Sequence, residues 1–199
     1  MKKLSEEYDQ RWDSFPFISL DTETTGFGKN DRICEIAMLM IQGDKVVDEF
    51  HSLVNPERVM NESARAVHGI LDDALQDAPR FDEIRDQVIE FLSRGAPWVA
   101  HQLSFDARML SYVIPEDLWP KGVPTLCSMD FAKKHHSMLR MCNGHKLMNL
   151  AGYLQIDYRA ADAHSAKVDA TLLGKIVPKM MGTRLVSESY TKLSEEWLK

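Results

Sequence analysis

The stretch Phe17-Ile18-Ser19-Leu20-Asp21-Thr22-Glu23-Thr24-Thr25-Gly26 decides how this chain is read. Up to Glu23 it alternates and is apolar enough for a β-strand. Polar residues with two glycines follow over 24–32 and mark a loop. Asp21 and Glu23 close the strand. Residues two apart share one face of a strand, so both carboxylates point the same way. Taken alone, such a pair is more plainly two solvated acids at a strand end, because short motifs recur by chance. The rest of the chain changes that balance.

Working outward, 33–41 and 45–54 read as strands joined by the turn Gln42-Gly43-Asp44, a hairpin signal. Helical patterns follow at 61–67, 80–94, 104–113, 129–136, 146–154 and 166–180, with short strands at 98–101 and 125–127. Three antiparallel-type strands followed by alternating helices and strands predict an α/β domain with a mixed sheet flanked by helices. That domain spans 17–182. An amphipathic lead-in helix is expected over 1–16, and a polar tail over 183–199, helical by the spacing of Leu193 and Trp197.

The chain has 199 residues, 44% hydrophobic and 27% charged, in keeping with one soluble globular domain and short appendages. Its longest purely apolar run, Ile36 to Ile41, is far short of the ~20 residues a membrane-spanning helix needs. The charged N-terminus does not resemble a secretory signal. Cys34, Cys127 and Cys142 form no CxxC pair and are odd in number, so a reduced, cytoplasmic setting is expected. A net charge of −6 argues against a generic polyanion binder. It leaves room for a nucleic-acid enzyme whose acids are concentrated at a metal site.

Two more acids stand where apolar residues belong. Asp106 lies three and four residues before Met109 and Leu110, on the core-facing stripe of its helix. Asp169 shares a face with Leu173, Ile176 and Met180. The helix macrodipole accounts for acids in first turns, but not for their inward orientation. Unpaired buried charge is very costly, and Lys167, two residues from Asp169, points elsewhere. Divalent metal is the simplest compensation, and oxygen-only ligation suits Mg²⁺ or Mn²⁺ over Zn²⁺. His164 would lie about 140° from Asp169 on one regular helix. It is therefore expected on the entering loop, where a neutral imidazole could deprotonate water.

These residues resemble the DnaQ-like 3′–5′ exonucleases of the DEDDh subgroup. Leu20-Asp21-Thr22-Glu23-Thr24-Thr25-Gly26 resembles the first motif and Ala100-His101-Gln102-Leu103-Ser104-Phe105-Asp106 the second. His164-Ser165-Ala166-Lys167-Val168-Asp169-Ala170 resembles the third, with the five-residue step from His to Asp. Asn55-Pro56 with Ala66-Val67-His68-Gly69-Ile70, and Lys146-Leu147 with Leu150-Ala151, resemble the intervening segments. Two positions depart from the common pattern: Gln102, where Asn is usual, and Met148, where an acid is frequent.

The resemblance implies a ribonuclease-H-like fold with a five-stranded mixed sheet flanked by helices on both sides. It implies Asp21, Glu23, Asp106 and Asp169 as ligands of two Mg²⁺ (or Mn²⁺) ions, and His164 as general base. Product would be a nucleoside 5′-monophosphate cut from a 3′ end. Thr24, Thr25, Gly26, His68 and Phe105 are the expected substrate contacts, with Val67 and Ile70 shared between pocket and core, and with Phe105 more plainly a core aromatic, since aromatics are usually buried. Lys133, Lys134, Arg140, Lys146 and Lys167 are candidate strand-gripping cations, against a bland reading as solvated surface. The expected partner is a single-stranded 3′ end, DNA ahead of RNA. A polymerase or repair partner and a homodimer stay open. An RNA-trimming exoribonuclease and a non-catalytic nuclease-like binding module are the alternatives.

Overall fold

The computed structural model describes residues 11–136, 144–158, 164–182 and 191–192. β1 (Phe17–Thr24) is central. It pairs antiparallel with β2 (Ile33–Gln42), which pairs antiparallel with β3 (Lys45–Leu53). On its other side β1 runs parallel to β4 (Trp98–Ala100), and β4 parallel to β5 (Pro124–Cys127). Both short parallel strands are buried along their whole length, as strands covered on both faces must be. These five strands form the expected mixed sheet. A two-residue strand, β6 (Thr191–Lys192), adds antiparallel to β5 and gives the order β3-β2-β1-β4-β5-β6.

Both appendages differ from expectation where they are described. At 191–192 the tail is extended, because pairing with the β5 edge satisfies its backbone. The remainder of 183–199, with Leu193 and Trp197, lies outside the described residues. The part of the lead-in that is described, 11–16, is a single turn, in which Ser14 and Phe15 amides donate to the Arg11 carbonyl at 3.1 and 2.8 Å. Pro16 disfavours helix at the residue before it, and the chain passes directly into β1.

Helices cover both faces. α3 (Phe81–Leu92) and α4 (Leu103–Ser111) pack on the face carrying Ile18, Leu20, Ile36, Met38 and Trp98. α6 (Leu147–Tyr153) and α7 (Ala166–Met181) pack on the face carrying Phe17, Ala37, Leu39, Val99 and Leu126. α5 (Ser128–His135) adds Phe131 and Ala132 to that second core. Two short helices, α1 (Glu62–His68) and α2 (Asp72–Leu75), lie in the β3–α3 connection; the sequence reading had no helix at α2. α7 comes very close to the sheet: a Cβ at Gly174 would stand 2.8 Å from Ile41 Cδ1. This closeness brings the first turn of α7 over the end of β1.

Candidate active site

Alternation along β1 aims its odd-numbered residues at α7. Phe17 joins the α7 core, and Ser19 Oγ donates to the Ala170 carbonyl at 2.7 Å. Asp21 and Glu23 continue this face, so they meet Asp169 in the first turn of α7. One carboxylate oxygen from each of the three lies within 4.8 Å of the others, and all three residues are half-buried. The β1–β2 register shifts between Glu23 and Thr24. Such bulges re-aim side chains beside active sites.

Asp106 arrives from the other face of the sheet. It is 3% exposed on α4. Its Oδ1 accepts hydrogen bonds from the Thr22 amide at 3.1 Å and the Thr22 hydroxyl at 2.8 Å. Asp106 therefore stands outside the three-acid cluster, yet close enough to raise the pKa of Asp21.

Crowding and burial disfavour the ionised forms of all four acids. Asp21 is raised well above the usual carboxylate range, by burial first and then by Asp106, Glu23, Asp169 and Glu35. Burial, with Asp169, Glu35 and Asp106, pushes Glu23 up to about 8. Asp106 rises to about 7 through burial, against the opposing Thr22 hydrogen bonds. Asp169 is also raised by burial, with His164 pulling the other way. Lys167, as expected, points elsewhere, donating to Glu49 at 2.8 Å.

The expected recognition residues separate into two groups. Thr24 and Thr25 are buried, and their hydroxyls are committed within the protein, to the Gly26 carbonyl at 2.7 Å and to Asp31 Oδ1 at 2.8 Å. Gly26 is packed so tightly that a Cβ would stand 2.7 Å from Asp31 Oδ2 and collide with Asn61 Nδ2. His68 holds the loop rather than projecting freely. Its Nδ1 accepts from the Ile70 amide at 3.1 Å, which leaves Nε2 to donate to the Thr24 carbonyl at 3.3 Å. Burial lowers its pKa, in keeping with this neutral tautomer.

The second group ranges from exposed to partly buried. Val67 is 48% exposed, whereas Ile70 packs on a small core with Met60 and Leu75. Phe105 is partly buried, and its ring contacts that of Phe27 with centroids 5.7 Å apart. Phe27, 70% exposed on the loop after the first motif, was missed by the sequence reading. An aromatic directly after Gly26 was the available signal. His164 is exposed and adopts a left-handed backbone, φ 69°. It lies on the entering turn rather than on α7. Of the candidate cations, Lys133 pairs with Asp130 at 3.6 Å, and Arg140 lies outside the described residues.

The residues fit a divalent metal. The donors are carboxylate oxygens alone, which suits a hard cation. Asp169 Oδ1 is buried with no hydrogen-bond partner. A buried acceptor left this way requires an explanation, and a cation supplies one.

A ribonuclease-H-like sheet with these acids at the end of its central strand defines a 3′–5′ exonuclease. The family model described as Exonuclease, of the RNase T group, matches residues 18–177, and the chain belongs to this DnaQ-like family. The DNA polymerase III subunit epsilon of Buchnera aphidicola subsp. Baizongia pistaciae is 31% identical over 178 residues, spanning 80% of this chain and 68% of that protein. The structure of Exonuclease X in complex with 5′ overhanging duplex DNA matches with a TM-score of 0.56 at 26% identity, over 84% of this chain and 97% of that one. The nuclease domain of 3′hExo, a DEDDh family member bound to rAMP, gives a TM-score of 0.70 at 16% identity, over 93% of this chain and all of that domain (100%). This last likeness speaks to fold alone. Among the described residues, no helix is long and apolar enough to cross a membrane.

Proposed function

We propose that this chain removes nucleoside 5′-monophosphates from the 3′ ends of single-stranded or frayed DNA, in a proofreading or repair setting. The convergence of Asp21, Glu23 and Asp169 oxygens within 4.8 Å, with Asp106 fixed beside them, carries this reading. The kinship with a polymerase subunit and the likeness to a DNA-bound exonuclease support DNA as substrate. They also support a polymerase as partner.

Asp21, Glu23, Asp106 and Asp169 would hold two divalent ions, Mg²⁺ or Mn²⁺. When bound, such ions neutralise phosphate charge, acidify water and stabilise the departing oxygen. His164, on its exposed turn, takes the proton from the attacking water. The new P–O bond forms as the bond from phosphorus to the 3′ oxygen of the penultimate nucleotide breaks. Electrons leave with that oxygen, which is protonated to the new 3′ hydroxyl. Phe27 and Phe105 offer ring faces to unstacked bases at the rim, a contact every base can make.

A 3′-end degradation assay tests the reading. Equal amounts of 5′-labelled single-stranded DNA, single-stranded RNA and mismatched duplex DNA are offered with Mg²⁺ or Mn²⁺ and an EDTA control. Stepwise, metal-dependent ladders strongest on DNA are the expected result. Preference for RNA would transfer the reading to RNA trimming. Replacing His164 with Ala should slow single turnover by about 10²–10⁴-fold, and an unchanged rate would remove it as the base.

A further inference from the structure

One more acid faces this site and belongs to neither the sequence motifs nor the three-acid cluster. Glu35 lies on β2 directly across from Glu23. Its face of the strand continues through Ala37, Leu39 and Ile41 into the α7 core. It is 4% exposed. Its oxygens are already committed. Oε1 accepts from Ser165 Oγ at 3.1 Å and lies 2.7 Å from His51 Nε2, while Oε2 accepts from the Ala166 amide at 3.0 Å. A carboxylate offers about four acceptor sites, and three of Glu35's are used.

The place where Glu35 grips is informative. Ser165 and Ala166 immediately follow His164, which holds the left-handed φ of 69°. Non-glycine residues seldom adopt that region, and they persist in it only where the surroundings enforce it. Ser165 itself is extended (φ −114°, ψ 133°), and its hydroxyl makes no helix-capping bond. It is spent on Glu35 instead. A helix end would ordinarily use such a hydroxyl on its own amides. Here the hydroxyl is spent on the sheet, while the backbone of the turn stays joined to α7 through the Ser165 carbonyl, which accepts from the Asp169 amide at 2.9 Å.

We propose that Glu35 is a positioning residue, a bracket that joins β2 to the turn at Ser165 and Ala166 and so fixes where the His164 imidazole stands relative to the acids of β1. The role rests on His164 being the general base. A displacement of about 1 Å at a catalytic group can cost about 10²-fold in rate. Removing the bracket should therefore lower kcat far more than it raises KM.

The test uses the full chain, 5′-labelled single-stranded DNA and Mn²⁺, with kcat and KM measured for Glu35→Gln, Glu35→Ala, His164→Ala and the Glu35→Ala/His164→Ala pair. Glu35→Gln keeps an acceptor for the Ala166 amide. The Ser165 hydroxyl and the His51 imidazole can each turn to accept from its NH₂ group. It should stay within about threefold of wild type, whereas Glu35→Ala loses about 10–100-fold in kcat with KM nearly unchanged. In the His164→Ala background, Glu35→Ala should have almost no further effect, because residues acting as a unit are non-additive.

A full additional loss in the double variant would overturn the proposal while leaving His164 as the base. A His164→Ala enzyme of normal rate would overturn the base assignment itself, and the bracket's role with it. Equal losses for Gln and Ala would show that the charge of Glu35, not its grip, matters. Should Glu35→Ala fail to fold, Ser165→Ala removes one strand of the bracket without removing a helix cap. It should lower kcat partially, again only while His164 is present, and an effect that persists without His164 would refute the bracket.

Discussion

Thr22 presents both its amide and its hydroxyl to a single oxygen of Asp106, at 3.1 and 2.8 Å. The partners lie 84 residues apart in sequence, and the contact is buried. It ties α4 to β1 between the two acids that the strand contributes to the opposite face. Both hydrogen bonds favour the ionised form of Asp106, which burial otherwise disfavours.

Thr22→Val keeps the side-chain shape and removes the hydroxyl. Leaving a buried carboxylate short of a donor costs about 1–3 kcal/mol. With Asp106 titrating near 7, the loss in urea unfolding should be larger at pH 8.5 than at pH 5, where the group is protonated and needs the donor less. A cost equal at both pH values would mean that the hydroxyl contributes only packing.

Metal and pH should act together on stability. Glu23 is raised from 4.5 to about 8 in the folded protein, and Asp21 and Asp169 move the same way. The folded state therefore binds these protons more tightly than the unfolded chain. Their contribution is fully present below the unfolded pKa of about 4.3 and is lost as pH rises through the folded value. The metal-free protein should lose melting temperature between about pH 5 and 8. Because a cation requires the deprotonated acids, Mn²⁺ should raise Tm more at pH 8 than at pH 6. A thermal scan showing no Mn²⁺ effect, or an equal effect at both, would contradict the metal reading.

Much of the site was legible because an acid on an apolar face is conspicuous. Asp21 and Glu23 at a two-residue step and Asp169 on the stripe of Leu173 and Ile176 were placed by periodicity, and the structure brings these three together. Asp106 was also correctly read as inward, but its route to the site through Thr22 was not visible. That contact depends on how α4 crosses the sheet, which no local pattern encodes. Glu35 obeys the same rule as the others, an acid on the Ala37–Leu39–Ile41 face, but a long apolar strand concealed it. Its donors, His51, Ser165 and Ala166, come from β3 and the α7 turn and become neighbours only in the folded chain. Thr24 and Thr25 were read as facing substrate because their loop directly follows the two acids and Gly26 permits close backbone approach. The partner that buries Thr25, Asp31, comes from the far end of the same loop.

Asp21→Asn should separate stability from chemistry. Asp21 is the acid pressed by all its neighbours, with burial as the first cause of its shift. A neutral amide relieves that repulsion, so at pH 8 the metal-free variant should melt higher than wild type. It should gain little from Mn²⁺ and leave no exonuclease ladder. A variant less stable than wild type without metal would show that Asp21 is held by favourable contacts rather than by like-charge crowding.

Phe27→Ala should affect substrate handling and little else. The ring is 70% exposed, so its removal should change folding stability by no more than about 0.5 kcal/mol. Among the described residues, its ring neighbour is Phe105, at 5.7 Å and 55°. Phe105 is in turn faced by the Arg108 guanidinium at 5.4 Å, and Arg108 Nη2 donates to the Phe27 carbonyl at 3.4 Å. Phe27, Phe105 and Arg108 thus form one cluster, in which the Phe27 ring is the exposed member. A stacked base is worth about 1–3 kcal/mol, which corresponds to a rise in KM of roughly 5- to 150-fold on single-stranded DNA, with kcat less affected. Phe105→Ala, by contrast, should also lower Tm, because that ring packs on the α3–α4 core. If Phe27→Ala left KM unchanged while lowering Tm, the ring would be a structural lid over Phe105 and the base would bind elsewhere.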